Sequence, residues 1–221
     1  MKEVQDHWFK LAKEEGYRSR AAYKLIDIDD RRRVLRRGAR VLDAGAAPGS
    51  WSQVAAARVG HKGIVFAVDL TAIEGGLPEN VHRLQADLRA ITLDDVGGEP
   101  FDTVLSDMAP KTTGDPTGDH FQSVRLCDDL LDQMPDWLRL GGSLVLKVFE
   151  GENYPALVKR AGRMFEEARG YKPRASRAES VEMFVVCTGF NGKNGRVPHQ
   201  TDSILPKRRP SKGWGESNAQ D

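Results

Sequence analysis

A chain of 221 residues, 39% hydrophobic and 29% charged, is long enough for one α/β domain with a substantial core and has the polarity of an ordinary soluble protein. No stretch approaches the ~20 apolar residues of a membrane span, and the mixed start MKEVQDHWFK lacks the apolar middle of a signal peptide, so a cytoplasmic protein without membrane contact is expected. The net charge of +1 conceals basic ends around an acidic middle, and Cys127 and Cys187, the only cysteines, stand in no CxxC or Cys/His cluster, so neither a disulfide nor a metal framework is expected.

Residues 1–39 read as a basic N-terminal helical segment, with 12 Lys/Arg against 7 Asp/Glu over 2–40, a net of +5. Within it RSRAAYKLIDIDD (18–30) repeats Ala21, Leu25 and Ile28 at helical spacing, until Gly38 breaks the pattern. RVLDAG (40–45) predicts a first buried strand, and Ser50 to Val59 a helix closed by Gly60. Further strands are predicted at 63–70, 81–87, 101–107, 143–149 and 181–190. The remaining helices are expected at 119–140, where Pro135 should kink or divide the run, and at 154–168.

Strands alternating with helices imply a mostly parallel, doubly wound α/β sheet in a single folded domain over 1–190. From 191 the chain turns to Gly, Asn, Lys, Pro and Ser, with 6 Lys/Arg against 3 Asp/Glu, and reads as a poorly ordered basic tail over 191–221. The middle, 41–190, then carries −7. Basic extremities suit an enzyme that grips a polyanion. Arg31–Arg33 and Arg36–Arg37 equally suit a solvated helix end.

The first strand runs into Asp43-Ala-Gly-Ala-Ala-Pro-Gly-Ser-Trp51 and then a helix, a turn that lets a ligand approach the backbone beside helix N–H groups. From Gly45 the run is GAAPGS, so the middle glycine of a dinucleotide GxGxxG is missing and a nicotinamide oxidoreductase is disfavoured. A compact amino-acid–nucleoside such as S-adenosylmethionine fits better. Asp69 closes the second strand, where a carboxylate can accept both ribose hydroxyls, and Asp87 closes the third, within reach of an adenine edge. Strand carboxyl ends are where open α/β sheets bind ligands, although acids there also serve as plain caps. Trp51 is a candidate wall of the site or simply core.

The fourth strand ends Ser106-Asp107-Met108-Ala109-Pro110, without the Asn/Asp-Pro-Pro-aromatic run of exocyclic amine methylation. Cytosine C5 chemistry needs a thiolate, and neither Cys127 in a helix nor Cys187 in an apolar strand is well placed. Lys147 interrupts SLVLKVF, a run apolar on both faces, and an ammonium is costly to bury without a partner or a task. A ribose hydroxyl becomes a competent nucleophile only once a base takes its proton, and burial beside a second cation lowers a lysine toward that use. Lys24 is the candidate neighbouring cation. Asp107 is placed to hold the Lys147 ammonium, and Glu182, in the otherwise apolar VEMFVV, to orient either lysine.

Together GAAPGSW, VDL, QAD, SDMAP, LKVFEG and SRAAYKL closely resemble the FtsJ/RrmJ-like RNA 2′-O-methyltransferases, over residues ~8–190. The resemblance implies a Rossmann-like methyltransferase fold, a mostly parallel seven-stranded sheet with an antiparallel last strand. It implies a catalytic tetrad of Lys24, Asp107, Lys147 and Glu182, with Lys147 the proton acceptor. S-adenosyl-L-methionine contacts carry over to Gly49, Trp51, Asp69, Asp87 and Asp107, beside Gly45 in the turn. The single-domain form is most similar to the bacterial-type enzyme for a uridine of 23S rRNA in the large ribosomal subunit, here expected as a monomer. Methylation of a tRNA anticodon loop or a cap by the same tetrad, and a non-catalytic RNA-binding assembly factor, are the rival readings. Two departures stand out. Ser50 replaces a second glycine after Pro48, and Phe184 replaces a tyrosine, removing a hydroxyl from the site.

Overall fold

The computed structural model describes residues 2–176, 180–193 and 195, so the 191–221 tail lies almost wholly outside the described residues. In chain order the strands are β1 (Arg40–Ala44), β2 (Ile64–Asp69), β3 (Val81–Gln85), β4 (Phe101–Ser106), β5 (Leu138–Phe149), β6 (Phe165–Tyr171) and β7 (Glu182–Phe190). They form one sheet in the order β3-β2-β1-β4-β5-β7-β6. Each pair from β3 to β5 is parallel, whereas β7 runs antiparallel to both β5 and β6. This is the mostly parallel, seven-stranded α/β sheet with an antiparallel last strand.

Helices α1 (Lys2–Glu14) and α2 (Ala22–Arg32) precede β1, and α3 (Ser50–Val59), α4 (Pro116–Trp137) and α5 (Tyr154–Met164) follow β1, β4 and β5. On one face α2 and α3 bring Leu25, Ile28 and Val54 against Val41, Leu105, Val145 and Phe184. On the other, α4 and α5 bring Leu130, Met134 and Leu157 against Val104, Leu146 and Val185. Covering both faces explains why the central strands read as continuous apolar runs rather than alternating ones. Among the described residues no helix is long and apolar enough to cross a membrane.

Four element boundaries differ from expectation. The helix predicted from 18 begins at Ala22, because residues 19–24 first form tight turns (Ala22 N–H to Ser19 O, Lys24 N–H to Ala21 O) that free Arg18 and Ser19 for contacts elsewhere. The helix predicted over 154–168 stops at Met164, and Phe165–Tyr171 is the edge strand β6. The strand at 143–149 extends back to Leu138 through a register shift beside β4. Pro135 does not divide α4; it sits in the last turn, two residues before the helix ends at Trp137. At the other end Asp115 caps α4 by accepting from the Thr117 and Gly118 amides, with Pro116 at the first helical position.

Candidate active site

At the carboxyl ends of β1, β2 and β4 a recess of about 380 Å³ is lined by Gly45, Ala47, Asp69, Asp87, Asp107 and Gln133, among others. Gly45 has φ 74°, and a Cβ there would stand 2.5 Å from Met108 Cγ, so only glycine lets the β1 turn pass this close to the β4 end. Asp69 holds that turn: its Oδ2 accepts from the Ala47 amide at 2.9 Å while Oδ1 accepts from Thr71 at 2.8 Å. Asp87 pairs with Arg89 at 2.6 Å, and the hydrogen bonds from the Arg89 side chain and amide push its carboxyl down to about 2.

Gly49 and Trp51 stand beside this recess rather than on its lining. Gly49, at φ 107°, caps α3, whose first-turn amides have no carbonyl one turn earlier in the helix. The expectation that Trp51 walls the site is corrected: its ring is 2% exposed, lies 5.7 Å from the Phe184 ring and donates Nε1–H to Ala21 O at 2.9 Å. An indole buries a large apolar area and needs one acceptor, and the core between α2 and β7 supplies both.

Next to the recess, on the side toward α2 and β7, two lysines and two carboxylates meet. Lys147 Nζ is 3.0 Å from Asp107 Oδ1 and donates to Asp107 O at 2.5 Å. Lys24 Nζ donates to Glu182 Oε2 at 2.9 Å and lies 5.9 Å from the centre of the Phe184 ring. Both lysine side chains are only 8% exposed. Sheet register produces the grouping: Lys147 pairs with Phe184 and Phe149 with Glu182, so these four side chains share one face of neighbouring strands. Burial alone would raise the Glu182 carboxyl; the Lys24 ammonium, with Lys147 and the Ser180 hydroxyl behind it, outweighs that and holds it below its ordinary value. An open cleft of about 600 Å³ leads to this group, lined by Arg20, Lys24, Thr112, Glu150 and Glu182. Four elements thus put an ammonium–carboxylate pair at each end of a short polar track that opens both to the cleft and, through Asp107, to the recess.

Three supporting residues escaped the sequence reading. Asp43, fully buried under the turn, has its carboxyl raised by burial, with the Asp107 and Asp69 charges adding to it, up to about 7 despite the Ser52 hydroxyl on Oδ2 at 2.6 Å. Its Oδ1 has no hydrogen-bond partner. Arg18 ties the glycine turn to the loop after β2, donating to Pro48 O at 2.9 Å, to Gly76 O at 2.8 Å and to Glu74 O. His120 in α4 bridges Phe149 O (2.8 Å) and the Asn153 amide (3.0 Å), fixing the chain just beyond Lys147. For Asp43 the signal was present, a charged residue inside an apolar strand; for Arg18 and His120 there was none, since both serve backbone distant in sequence. Ser50 bonds Ser19 Oγ at 2.7 Å, so this departure joins α3 to the segment leading into α2.

The arginine run lies elsewhere. Arg31 pairs with Asp27 and Arg32 with Glu167, and the cleft holding Arg32, Arg33, Arg36 and Arg37 includes Ser143, four residues before Lys147 on β5. That is the opposite end of the sheet. Cys127 and Cys187 are buried, and burial pushes both thiols up, away from the thiolate that C5 chemistry requires.

Comparison with known proteins agrees with this geometry. The chain is 43% identical over 196 residues to "Ribosomal RNA large subunit methyltransferase E" of Nitratidesulfovibrio vulgaris (strain DP4), covering 87% of this chain and 96% of the relative. A protein of the same name from Methanothermobacter thermautotrophicus is 39% identical over 194 residues, 86% of this chain and 92% of its own. A solved ribosomal RNA methyltransferase of Plasmodium falciparum superposes with a TM-score of 0.70 at 28% identity, over 80% of this chain and all of the other. With the FtsJ-like methyltransferase family model matching residues 17–190, a span that holds the recess and all four polar residues, the chain belongs to that family and is a methyltransferase.

Proposed function

We propose that this methyltransferase moves a methyl group from S-adenosyl-L-methionine to the 2′-hydroxyl of a ribose in RNA, and that the ribose is that of a uridine in 23S rRNA within the large ribosomal subunit. The supporting observation is the pairing of Lys147 with Asp107 and of Lys24 with Glu182 on one sheet face, beside a recess rimmed by carboxylates. The recess suits a cationic ligand: Asp69, Asp87, Asp107 and Asp129 line it against the single Arg89. When bound, the donor supplies a methyl on a sulfonium, an electrophile that needs no metal.

In this reading Gly45, with Gly49 and Trp51 behind it in the turn, would hold the ligand, and Asp69 and Asp87 would take its ribose and adenine ends. The RNA ribose enters from the cleft between Arg20 and Glu150. Lys147 would accept the 2′-hydroxyl proton of that ribose, freeing the oxygen to act as nucleophile toward the methyl group that S-adenosyl-L-methionine would supply. Asp107 orients Lys147, and Lys24 with Glu182 fixes the charge around it. We place the reaction in the cytoplasm, carried out by a monomer whose catalytic domain is residues 1–190. The names of the relatives support the ribosomal target over tRNA or cap substrates.

The test is Lys147→Ala assayed on large subunits prepared from cells lacking the gene, with S-adenosylmethionine affinity followed by calorimetry. Methyl transfer should fall by at least 10²-fold, the scale of a lost general base, while cofactor affinity stays within a few-fold. Undiminished turnover would refute the role of Lys147. Transfer by the parent chain to tRNA but not to large subunits would reject the ribosomal target.

A further inference from the structure

A second surface lies at the end of the sheet opposite the cleft. Its basic recess, about 900 Å³, is lined by Arg32, Arg33, Arg36, Arg37, Arg58 and Ser143. The local acids are already engaged: Asp27 by Arg31, Glu167 by Arg32, and Asp29 and Asp30 by Arg58. Arg33, Arg36 and Arg37 are exposed and have no carboxylate partner among the described residues. Arg36 and Arg37 also line an adjoining recess of about 320 Å³ with Arg139, so they form the ridge between two concavities.

Arg33 adds an independent observation. It closes α2 at φ 51°, ψ 49°, and it is the one non-glycine residue with positive φ among those described. That position favours glycine, and an L-residue there bears local strain. A strained conformation kept by a charged, exposed side chain points to a use for the charge.

We propose that Arg33, Arg36 and Arg37 are a second phosphate-contacting surface for the RNA substrate, remote from the nucleotide being methylated. Three guanidiniums without internal counter-ions match phosphate oxygens in charge and in hydrogen-bond geometry. Arg33 stands nine positions after Lys24, about 13 Å of helical rise, and Ser143 four positions before Lys147, also about 13 Å of strand. A dinucleotide seated in the catalytic cleft does not span that distance to these arginines. A folded RNA does, as it bends past the edge of the enzyme. The proposal rests on the RNA reading of the catalytic cleft, and it predicts that this surface gives a preference for a large folded substrate.

The experiment compares the parent chain with the triple variant Arg33→Gly, Arg36→Gln and Arg37→Gln. Large subunits from cells lacking the gene serve as substrate, and binding is measured from low to moderate salt on these subunits by filter retention and on a dinucleotide, the short strand, by calorimetry. Arg33→Gly suits the backbone at that position, so the melting temperature should hold or rise. On large subunits KM should rise about tenfold while kcat changes less than twofold. The slope of log affinity against log salt should flatten by about 2, as expected when two to three phosphate contacts go. Affinity for the dinucleotide should be unchanged. Equal salt slopes and KM for variant and parent would overturn the proposal, as would an equal loss on the short strand, which would reduce the effect to net charge. Failure of the parent chain to methylate large subunits would count against the ribosomal reading alone, because the binding comparison still decides whether these arginines contact RNA.

Discussion

Replacing Asp43 by Asn should make the folded chain more stable at alkaline pH than at acid pH, relative to the parent. The Asp43 carboxyl is raised from 3.8 to about 7 by burial first and by Asp107 and Asp69 next. Ionising it in the folded state is therefore disfavoured by ~4 kcal/mol, at 1.36 kcal/mol for each tenfold change in its acidity. The sign follows from linkage: for an acid raised on folding, the contribution is fully present below pH 3.8 and is lost as the pH rises through about 7. Asparagine never ionises and keeps an acceptor for the Ser52 hydroxyl, which now bonds Oδ2 at 2.6 Å. Its amide N–H₂ falls where Oδ1 has no partner, at a pH-independent cost of ~1–3 kcal/mol. Between about pH 5 and pH 8 the stability difference should thus move by ~2–3 kcal/mol in favour of the variant. Urea unfolding at several pH values, with slopes checked for constancy, measures it directly, because every other titrating group is common to both chains. Parallel stability curves would show that Asp43 does not hold a raised carboxyl. The same group also predicts proton release from the parent, absent in the variant, when S-adenosylmethionine binds near pH 7; calorimetry in buffers of different ionisation enthalpy reads it.

Two other perturbations probe the site's geometry. Gly45→Ala forces a Cβ at φ 74° to within 2.5 Å of Met108 Cγ and 3.1 Å of Met108 Cα, and should cost ~2–4 kcal/mol in strain and overpacking. Cofactor affinity should fall at least tenfold by calorimetry, and a variant with normal melting and normal affinity would contradict the close approach. Glu182→Gln removes the counter-charge of Lys24 and should cost about 1 kcal/mol near neutral pH, allowing for solvent screening. The Glu182 carboxyl lies below its ordinary 4.5, so its contribution is present above that pH and disappears as the pH falls through the folded value. Denaturation curves of parent and variant should converge toward acid pH, and a gap unchanged at about pH 3 would exclude the ion pair as its cause.

The sequence was most readable where burial is two-sided. Val41–Leu42 and Leu144–Leu146 lie under helices on both faces, and the charged residue Lys147 stood out against such a run. It was least readable where an element meets solvent. β6 escaped because Met164, Phe165 and Ala168 keep helical spacing across the helix–strand junction, and an edge strand with Glu166, Glu167 and Arg169 exposed or half-exposed shows little alternation. The glycine turn, Asp69, Asp87 and Asp107 were found as a set because topology alone brings strand carboxyl ends together. The direction in which Trp51 points, and the end of the sheet that Arg33 reaches, depend on helix rotation and rise. Composition carries no record of either.

The place of β7 has a consequence for biogenesis. Among the described residues it is the last strand in the chain, yet it inserts between β5 and β6, pairing Lys147 with Phe184 and Phe165 with Phe190. Pairings this distant in sequence form late. As the chain leaves the ribosome, the recess lined by β1, β2, β4 and α4 can assemble before Glu182 exists to meet Lys24. In a nascent chain the recess can therefore form early, and any ligand it takes would reward that early folding, while the Lys24–Glu182 pair waits for β7. Only a finished enzyme has all four polar residues in place.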